Sequence, residues 1–206
     1  MSALQIEPER PITGVVLAGG QGRRMGGVDK GLQPFRGRSL VECVIERLKP
    51  QVAEILVNAN QNTDRYATFG YRVITDVVPG YAGPLAGLHS ALSEASHELV
   101  LTVPCDSPFM PSDLAARMQA ELLESAADVA VAWTGSQPHP VFCLARRALL
   151  PHLTRFLDAG GRKIDAWYAD LKVARVAFDD QPDAFANFNT LTELRSAESP
   201  DRVWRD

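Results

Sequence analysis

Residues 14–30 read GVVLAGGQGRRMGGVDK. A short apolar, branched-rich run from Ile12 to Ala18 stops at the pair Gly19-Gly20. More glycines then alternate with Arg23, Arg24, Asp29 and Lys30. The apolar run has the length and composition of a buried strand. Glycines let backbone N–H groups approach an anion without side-chain interference, and a following helix adds the positive end of its dipole. Two arginines and a lysine add full charges. A strand feeding such a loop suits a polyphosphate. A glycine turn that served packing alone would not call for Arg23, Arg24 and Lys30.

Two common phosphate fingerprints do not fit. In GxxxxGK[ST], lysine should follow the second glycine, but Val28 follows Gly27. In GxGxxG, Gly20 and Gly22 should be followed by a third glycine where Met25 stands, and no acidic ribose ligand follows about 20 residues later.

Outward from that stretch, strands and helices alternate. Ser39 to Lys49 has helical spacing at Leu40, Val41, Val44, Ile45 and Leu48, and Ser39 with Glu42 forms a capping-box signature. Strands are expected at Glu54–Val57, Tyr71–Thr75 and Leu99–Val103, and helices at Pro84–Ala95 and Pro111–Glu124. Later strands are expected near Val129–Trp133, Val141–Ala145 and Val173–Phe178. A helix is expected near Arg147–Asp158 and a short one at Thr190–Ala197, before a loose tail over about 196–206. The alternation predicts an α/β domain with a parallel sheet covered on both faces. Ligands of open parallel sheets sit outside the carboxyl ends of the strands. Here those ends carry the glycine loop, Asn58 and Asn60, Asp76, and Asp106.

Composition bounds the partners. The chain has 206 residues, 46% hydrophobic and 22% charged, which suits one domain with a sizeable core. A net charge of -4 argues against a general nucleic-acid binder. Cys43, Cys105 and Cys143 form no CxxC pair, which fits a reducing compartment. The polar start MSALQIEPERP lacks an apolar core, so no signal peptide is expected there, and no apolar run approaches the ~18 residues of a membrane span. A cytoplasmic protein that binds neither nucleic acid nor membrane is expected.

Several residues carry two readings. Asp106, in VPCDSPFMP, suits Mg²⁺, which takes one or two carboxylates plus phosphate oxygens; it also suits a turn that caps the next helix. GPLAG, residues 83–87, reads as a closely packed helix start or as a second backbone surface for an anion or flat ring. Asn187 and Asn189 precede a Thr190-x-x-Glu193 signature, so they cap a helix or face a ligand. His139, between Pro138 and Pro140, reads as a polar contact or structural residue rather than a catalytic base.

Together these residues carry a resemblance. LAGGQGRRMGGVDKGL, residues 17–32, is similar to the LAGGxSxRMGxxDKxL signature of molybdenum cofactor guanylyltransferases. GPLAG, PCDSP (104–108) and FANFNTLTEL (185–194) resemble later signatures of that family, in the same order. Gly22 stands where the family has serine, and NTLTEL replaces an NTPEDL-like ending.

The resemblance implies a single three-layer, Rossmann-like nucleotidyltransferase fold with a mostly parallel sheet. It also implies transfer of GMP from GTP to molybdopterin, with release of pyrophosphate. Leu17, Ala18, Gly19, Lys30, Asn58, Asp76 and Asp106 then match the GTP site, in the N-terminal half. Asp106 matches the metal aspartate, for Mg²⁺ or alternatively Mn²⁺. Lys30 matches the phosphate lysine, and Arg24 the RMG arginine that stabilises the leaving pyrophosphate. Gly27, Gly83 and Gly87, together with Asn187, Asn189 and Lys163 (Arg162 beside it) of the C-terminal half, match the molybdopterin side, which the resemblance assigns chiefly to that half. The partners implied are molybdenum-insertion proteins or molybdoenzyme chaperones, and the expected state is a monomer. The competing readings are a sugar-1-phosphate nucleotidyltransferase, a cytidylyltransferase for the same pterin, and a non-catalytic GTP-binding adaptor.

Overall fold

The strand opened by Ile12 lies at the heart of the molecule. In the computed structural model, which describes residues 11–20, 28–78, 83–188 and 193, β1 (Ile12–Leu17) is flanked on both sides by parallel neighbours. On one side lie β4 (Glu54–Asn58) and then β5 (Arg72–Ile74). On the other lies β6 (Leu99–Pro104), followed by β8 (Gln137–Arg146), β7 (Val129–Thr134) and β9 (Val173–Ala177). These make a seven-stranded sheet in the order β5-β4-β1-β6-β8-β7-β9. β8 runs antiparallel to β6 and to β7, and β7 and β9 are parallel. The sheet is therefore mostly parallel, with β8 as its reversed strand.

Helices cover both faces, which gives three layers. Alternate strand residues point to opposite faces. Val16, Val57, Leu101 and Leu144 pack with α1 (Leu40–Leu48), α2 (Thr63–Ala67) and α4 (Leu114–Glu124). Val15, Leu56, Val100 and Val131 pack with α3 (Pro84–Glu94), α5 (Leu150–Asp158) and α6 (Ile164–Tyr168). Val41, Val44, Ile45 and Leu48 of α1 are all buried, each worth about 1.5–3 kcal/mol of apolar transfer. Gly14 makes room for that packing: a Cβ there would lie 2.9 Å from Leu48 Cδ2. The capping box holds α1 at its start, where the Glu42 carboxylate accepts the Ser39 backbone N–H at 2.7 Å.

Several local expectations change. β8 begins at Gln137, well before the expected Val141. Pro138 and Pro140 disguise it in the sequence, because proline usually argues against an interior strand. The two residues between β7 and β8, with Gly135 at φ 55°, make a tight reversal. α4 begins at Leu114, so Pro111 precedes the helix rather than occupying its first turn. α2, α6 and the small hairpin of β2 (Pro34–Phe35) and β3 (Arg38–Ser39) were not foreseen. The hairpin turns through Arg36 (φ 50°) and Gly37 (φ 79°), the left-handed pair that a two-residue reversal needs. The expected Thr190–Ala197 helix and the tail lie outside the described residues except for Glu193, which is helical. Among the described residues no helix is long and apolar enough to cross a membrane.

Candidate functional site

Register decides where the polar strand ends meet. Leu17 pairs with Asn58 on one side and with Pro104 on the other, and Asn58 pairs with Ile74. The ends of β1, β4, β5 and β6 thus form one row. β1 is the point where successive strands depart to opposite sides, the place where open α/β sheets form a crevice.

On the β5 side of that row a polar network closes. Asn58 is 2% exposed, and its Nδ2 donates to Asp76 Oδ1 at 2.9 Å. Asn60 Nδ2 donates to Asp76 Oδ2 at 2.7 Å and reaches the Gly19 carbonyl at 3.3 Å. The Asp76 backbone N–H returns a hydrogen bond to Asn60 Oδ1 at 2.8 Å. Asp76 is thereby fixed as an acceptor with each oxygen on one amide donor. Gly19 is required at its position, since a Cβ would sit 2.7 Å from Asn60 Nδ2. Gly87, on α3, is equally confined: a Cβ would lie 2.6 Å from Asn58 Oδ1 and 2.8 Å from Leu17 Cδ2. Gly83 caps that helix at φ 70°, in the left-handed half of backbone space that glycine enters freely.

On the β6 side, Asp106 follows the strand directly. Lys30 Nζ donates to Asp106 Oδ2 at 3.4 Å, with side-chain exposures of 22% and 12%. Burial pushes the Asp106 carboxyl above its usual range, and the Lys30 ammonium beside it opposes that rise. Asp106 is thus a buried carboxylate and not a solvated residue of a turn. The Phe188 N–H donates to the Asp106 carbonyl at 3.2 Å, which brings Asn187, itself exposed, to this end of the sheet. Phe188 also packs with Phe35 and Phe109, at ring-centroid distances of 5.7 and 6.0 Å.

The donor set of Asp106 fits a hard divalent cation. It offers one carboxylate at a strand end, and Mg²⁺ completes its shell with water and substrate phosphate oxygens rather than a protein cage. Among the described residues no group of three His, Cys, Asp or Glu side chains forms such a cage.

Leu17, Ala18, Gly19, Asn58, Asp76 and Gly87 therefore meet in one connected set, and Lys30 and Asp106 pair next to it. Lys163 stands apart, exposed as the N-cap of α6, and among the described residues it makes no hydrogen bond or ion pair with the others. Arg162 donates to the Leu157 and Gly161 carbonyls at 2.9 and 2.7 Å, closing the end of α5. Arg23, Arg24, Gly27 and Asn189 lie outside the described residues. His139 has the structural role expected of it, stacked on Phe185 at 4.5 Å and 2.8 Å from Thr134 Oγ1.

Sequence reasoning passed over the supporting residues. Asn60 was visible as a second asparagine at a strand end, but nothing marked it as the brace of Asp76. Asp29, whose carboxylate accepts the Tyr66 hydroxyl at 2.6 Å, lies inside the loop signature, whereas Tyr66 carries no local signal at all.

Comparison with known proteins identifies the family of the chain. The family model for the MobA-like NTP transferase domain matches residues 14–173. The chain is 50% identical over 197 residues to the molybdenum cofactor guanylyltransferase of Ralstonia nicotianae, covering 91% of this chain and 96% of that one. It is 50% identical over 179 residues to the enzyme of the same name from Shewanella halifaxensis, covering 87% and 90%. Its fold is similar to that of the molybdopterin-guanine dinucleotide biosynthesis protein A of Archaeoglobus fulgidus. The TM-score is 0.75 at 24% identity, over 90% of this chain and 96% of that one.

Proposed function

The chain belongs to the MobA-like NTP transferase family, and we propose that it transfers GMP from GTP to molybdopterin, forming the guanine dinucleotide form of the cofactor and releasing pyrophosphate. The observation that carries this reading is 50% identity to a molybdenum cofactor guanylyltransferase over 91% of the chain. The geometry supports it: an acceptor network sits beside a lysine–aspartate pair at the switch point of the sheet.

In this reading the nucleotide meets Leu17, Ala18 and Gly19, Asn58 and Asp76, with its phosphates toward Lys30. Asp76, held by two amide donors, accepts from a pair of N–H or O–H donors on the nucleoside. The attacking group is a phosphate monoester, whose second pKa near ~6 leaves it largely dianionic at neutral pH. It needs no general base, which agrees with the structural role of His139. The difficulty is bringing two anions into line, so positioning and charge neutralisation dominate. Lys30 and Arg24 offset charge that moves onto the departing pyrophosphate. A divalent cation held by Asp106, Mg²⁺ in our reading with Mn²⁺ as the alternative, supplies further neutralisation of phosphate charge when bound. Gly27, Gly83, Gly87, Asn187, Asn189 and Lys163 are the residues we propose on the molybdopterin side. The C-terminal half thus supplies Asn187, Asn189 and Lys163 to the acceptor side, while the N-terminal half holds the nucleotide and adds Gly27, Gly83 and Gly87 where the two substrates meet. We take the protein to act as a cytoplasmic monomer that passes its product to molybdenum-insertion proteins or molybdoenzyme chaperones.

The test is competition among GTP, ATP and CTP in transfer to molybdopterin. Adenine and cytosine lack guanine's N1–H and exocyclic amine beside an acceptor. A mismatch leaves polar groups unpaired at about 1–3 kcal/mol each, so two give on the order of a hundredfold discrimination. Equal use of CTP would replace the guanylyl reading with a cytidylyl one.

A further inference from the structure

Lysine presents a point charge on a flexible four-carbon stem, so a lysine that meets phosphate reproducibly needs its backbone held. In this chain the turn around Lys30 is held from an unexpected direction. The Asp29 carboxylate accepts the Tyr66 hydroxyl on Oδ1 at 2.6 Å and the Asn62 amide on Oδ2 at 3.0 Å. Both donors belong to the α2 region, reached after β4, and α2 contributes none of the nucleotide residues proposed above. Tyr66 is 0% exposed, with its ring in the same core cluster as the buried face of α1. Gly31 lies directly against its hydroxyl, since a Cβ there would come 2.5 Å from Tyr66 Oη. The turn closes on itself through Gln33, whose Nε2 donates to the Asp29 carbonyl at 2.8 Å and whose N–H donates to the Lys30 carbonyl at 3.0 Å. The Val41 N–H, at the start of α1, then donates to the Gly31 carbonyl at 2.9 Å. Asn62 holds its amide in place from a left-handed backbone, φ 52°, which asparagine tolerates better than most residues.

We propose that Tyr66 and Asn62 are positioning residues for the transfer reaction: they clamp the Asp29 carboxylate and so hold the Lys30 turn against the phosphates. The proposal rests on the reading of Lys30 as the phosphate lysine. Both oxygens of Asp29 are engaged by donors of the α2 region, so its carboxylate ties the Lys30 turn to α2. Tyr66 and Asn62 act through Lys30, in rate more than in GTP affinity.

The experiment compares Tyr66→Phe and Asn62→Gly, alone and in a Lys30→Ala background, in GMP transfer from GTP to molybdopterin. Tyr66→Phe keeps the buried ring and removes the hydroxyl. Asn62→Gly keeps the positive φ and removes the amide, and it gives an independent reading should the phenylalanine variant fold poorly. Displacements of about an ångström cost on the order of tenfold to a hundredfold. The expected result is a fall of that size in kcat for each variant, with KM for GTP changed by less than about threefold. No further fall should occur once Lys30 is alanine. Unchanged kcat, or an equal fall with and without Lys30, would overturn the clamp. Failure of the parent reading looks different: the unmodified enzyme would not transfer GMP whatever stands at 62 or 66. Amide exchange at Gln33 and Val41 reads the clamp with no substrate present. Faster exchange in Tyr66→Phe supports it, and unchanged exchange overturns it.

Discussion

Asp106 occupies an expensive position for a carboxylate. It is buried at the end of β6, and burial holds its carboxyl above the usual range despite Lys30 at 3.4 Å. A charge kept in such a place suggests function set against stability. Asp106→Asn keeps the shape and removes the charge. We expect transfer to fall by at least about a hundredfold, while the metal-free, nucleotide-free protein loses no thermal stability at pH 7. The sign follows from the raised folded pKa. The contribution of Asp106 to stability is fully present below its unfolded pKa of about 3.9 and is lost as pH rises through the higher folded value. The Tm of the variant relative to the parent should therefore be higher at pH 7 than at pH 4. A variant that is markedly less stable at pH 7 would show the Lys30–Asp106 pair to be a net stabiliser. Near-parental turnover would remove Asp106 from the reaction.

At the scale of elements, the site depends on how closely α3 approaches the sheet. Gly87 permits that approach, and the neighbour it would strike is Asn58, whose amide also holds Asp76. Asn58 is buried and short, so it has little room to yield. Gly87→Ala should therefore act twice. Overpacking of this kind costs about 1–3 kcal/mol, measurable by urea unfolding. The displaced Asn58 should release Asp76 and raise KM for GTP more than it lowers kcat. An alanine variant with parental stability and parental KM would mean that α3 shifts freely, and the coupling of helix packing to the acceptor network would be wrong. α2 makes the complementary case. It is a five-residue helix with little intrinsic stability, yet it places Tyr66 and Asn62 on Asp29.

For the whole molecule, the described half-sites come from strands separated in sequence and joined by the sheet, so ligand and fold should be linked. A nucleotide that binds the folded chain alone stabilises it by RT ln(1 + [L]/Kd), about 2.7 kcal/mol at a hundredfold excess over Kd. GTP should raise Tm by several degrees, and CTP at the same concentration by clearly less. Equal shifts would mean that phosphate contacts dominate and that the acceptor network does not read the base. The sequence determined a good deal by itself. The apolar run before Gly19, the helical spacing after Ser39 and the capping pair with Glu42 are local patterns, and each appears where short-range physics puts it. The polar residues at strand ends were equally legible, because in a parallel sheet those ends share one edge. Only the tertiary structure decided the rest. Periodicity carries no strand direction, so the reversal of β8 waited on its pairing with β6 and β7, and prolines masked where it begins. Burial of Asp106, the brace that Asn60 gives Asp76, and the reach of Tyr66 to Asp29 are contacts between residues 16 or more positions apart, or the enclosure that such contacts create. No local pattern encodes them. They exist because register and helix packing bring distant side chains within hydrogen-bond distance.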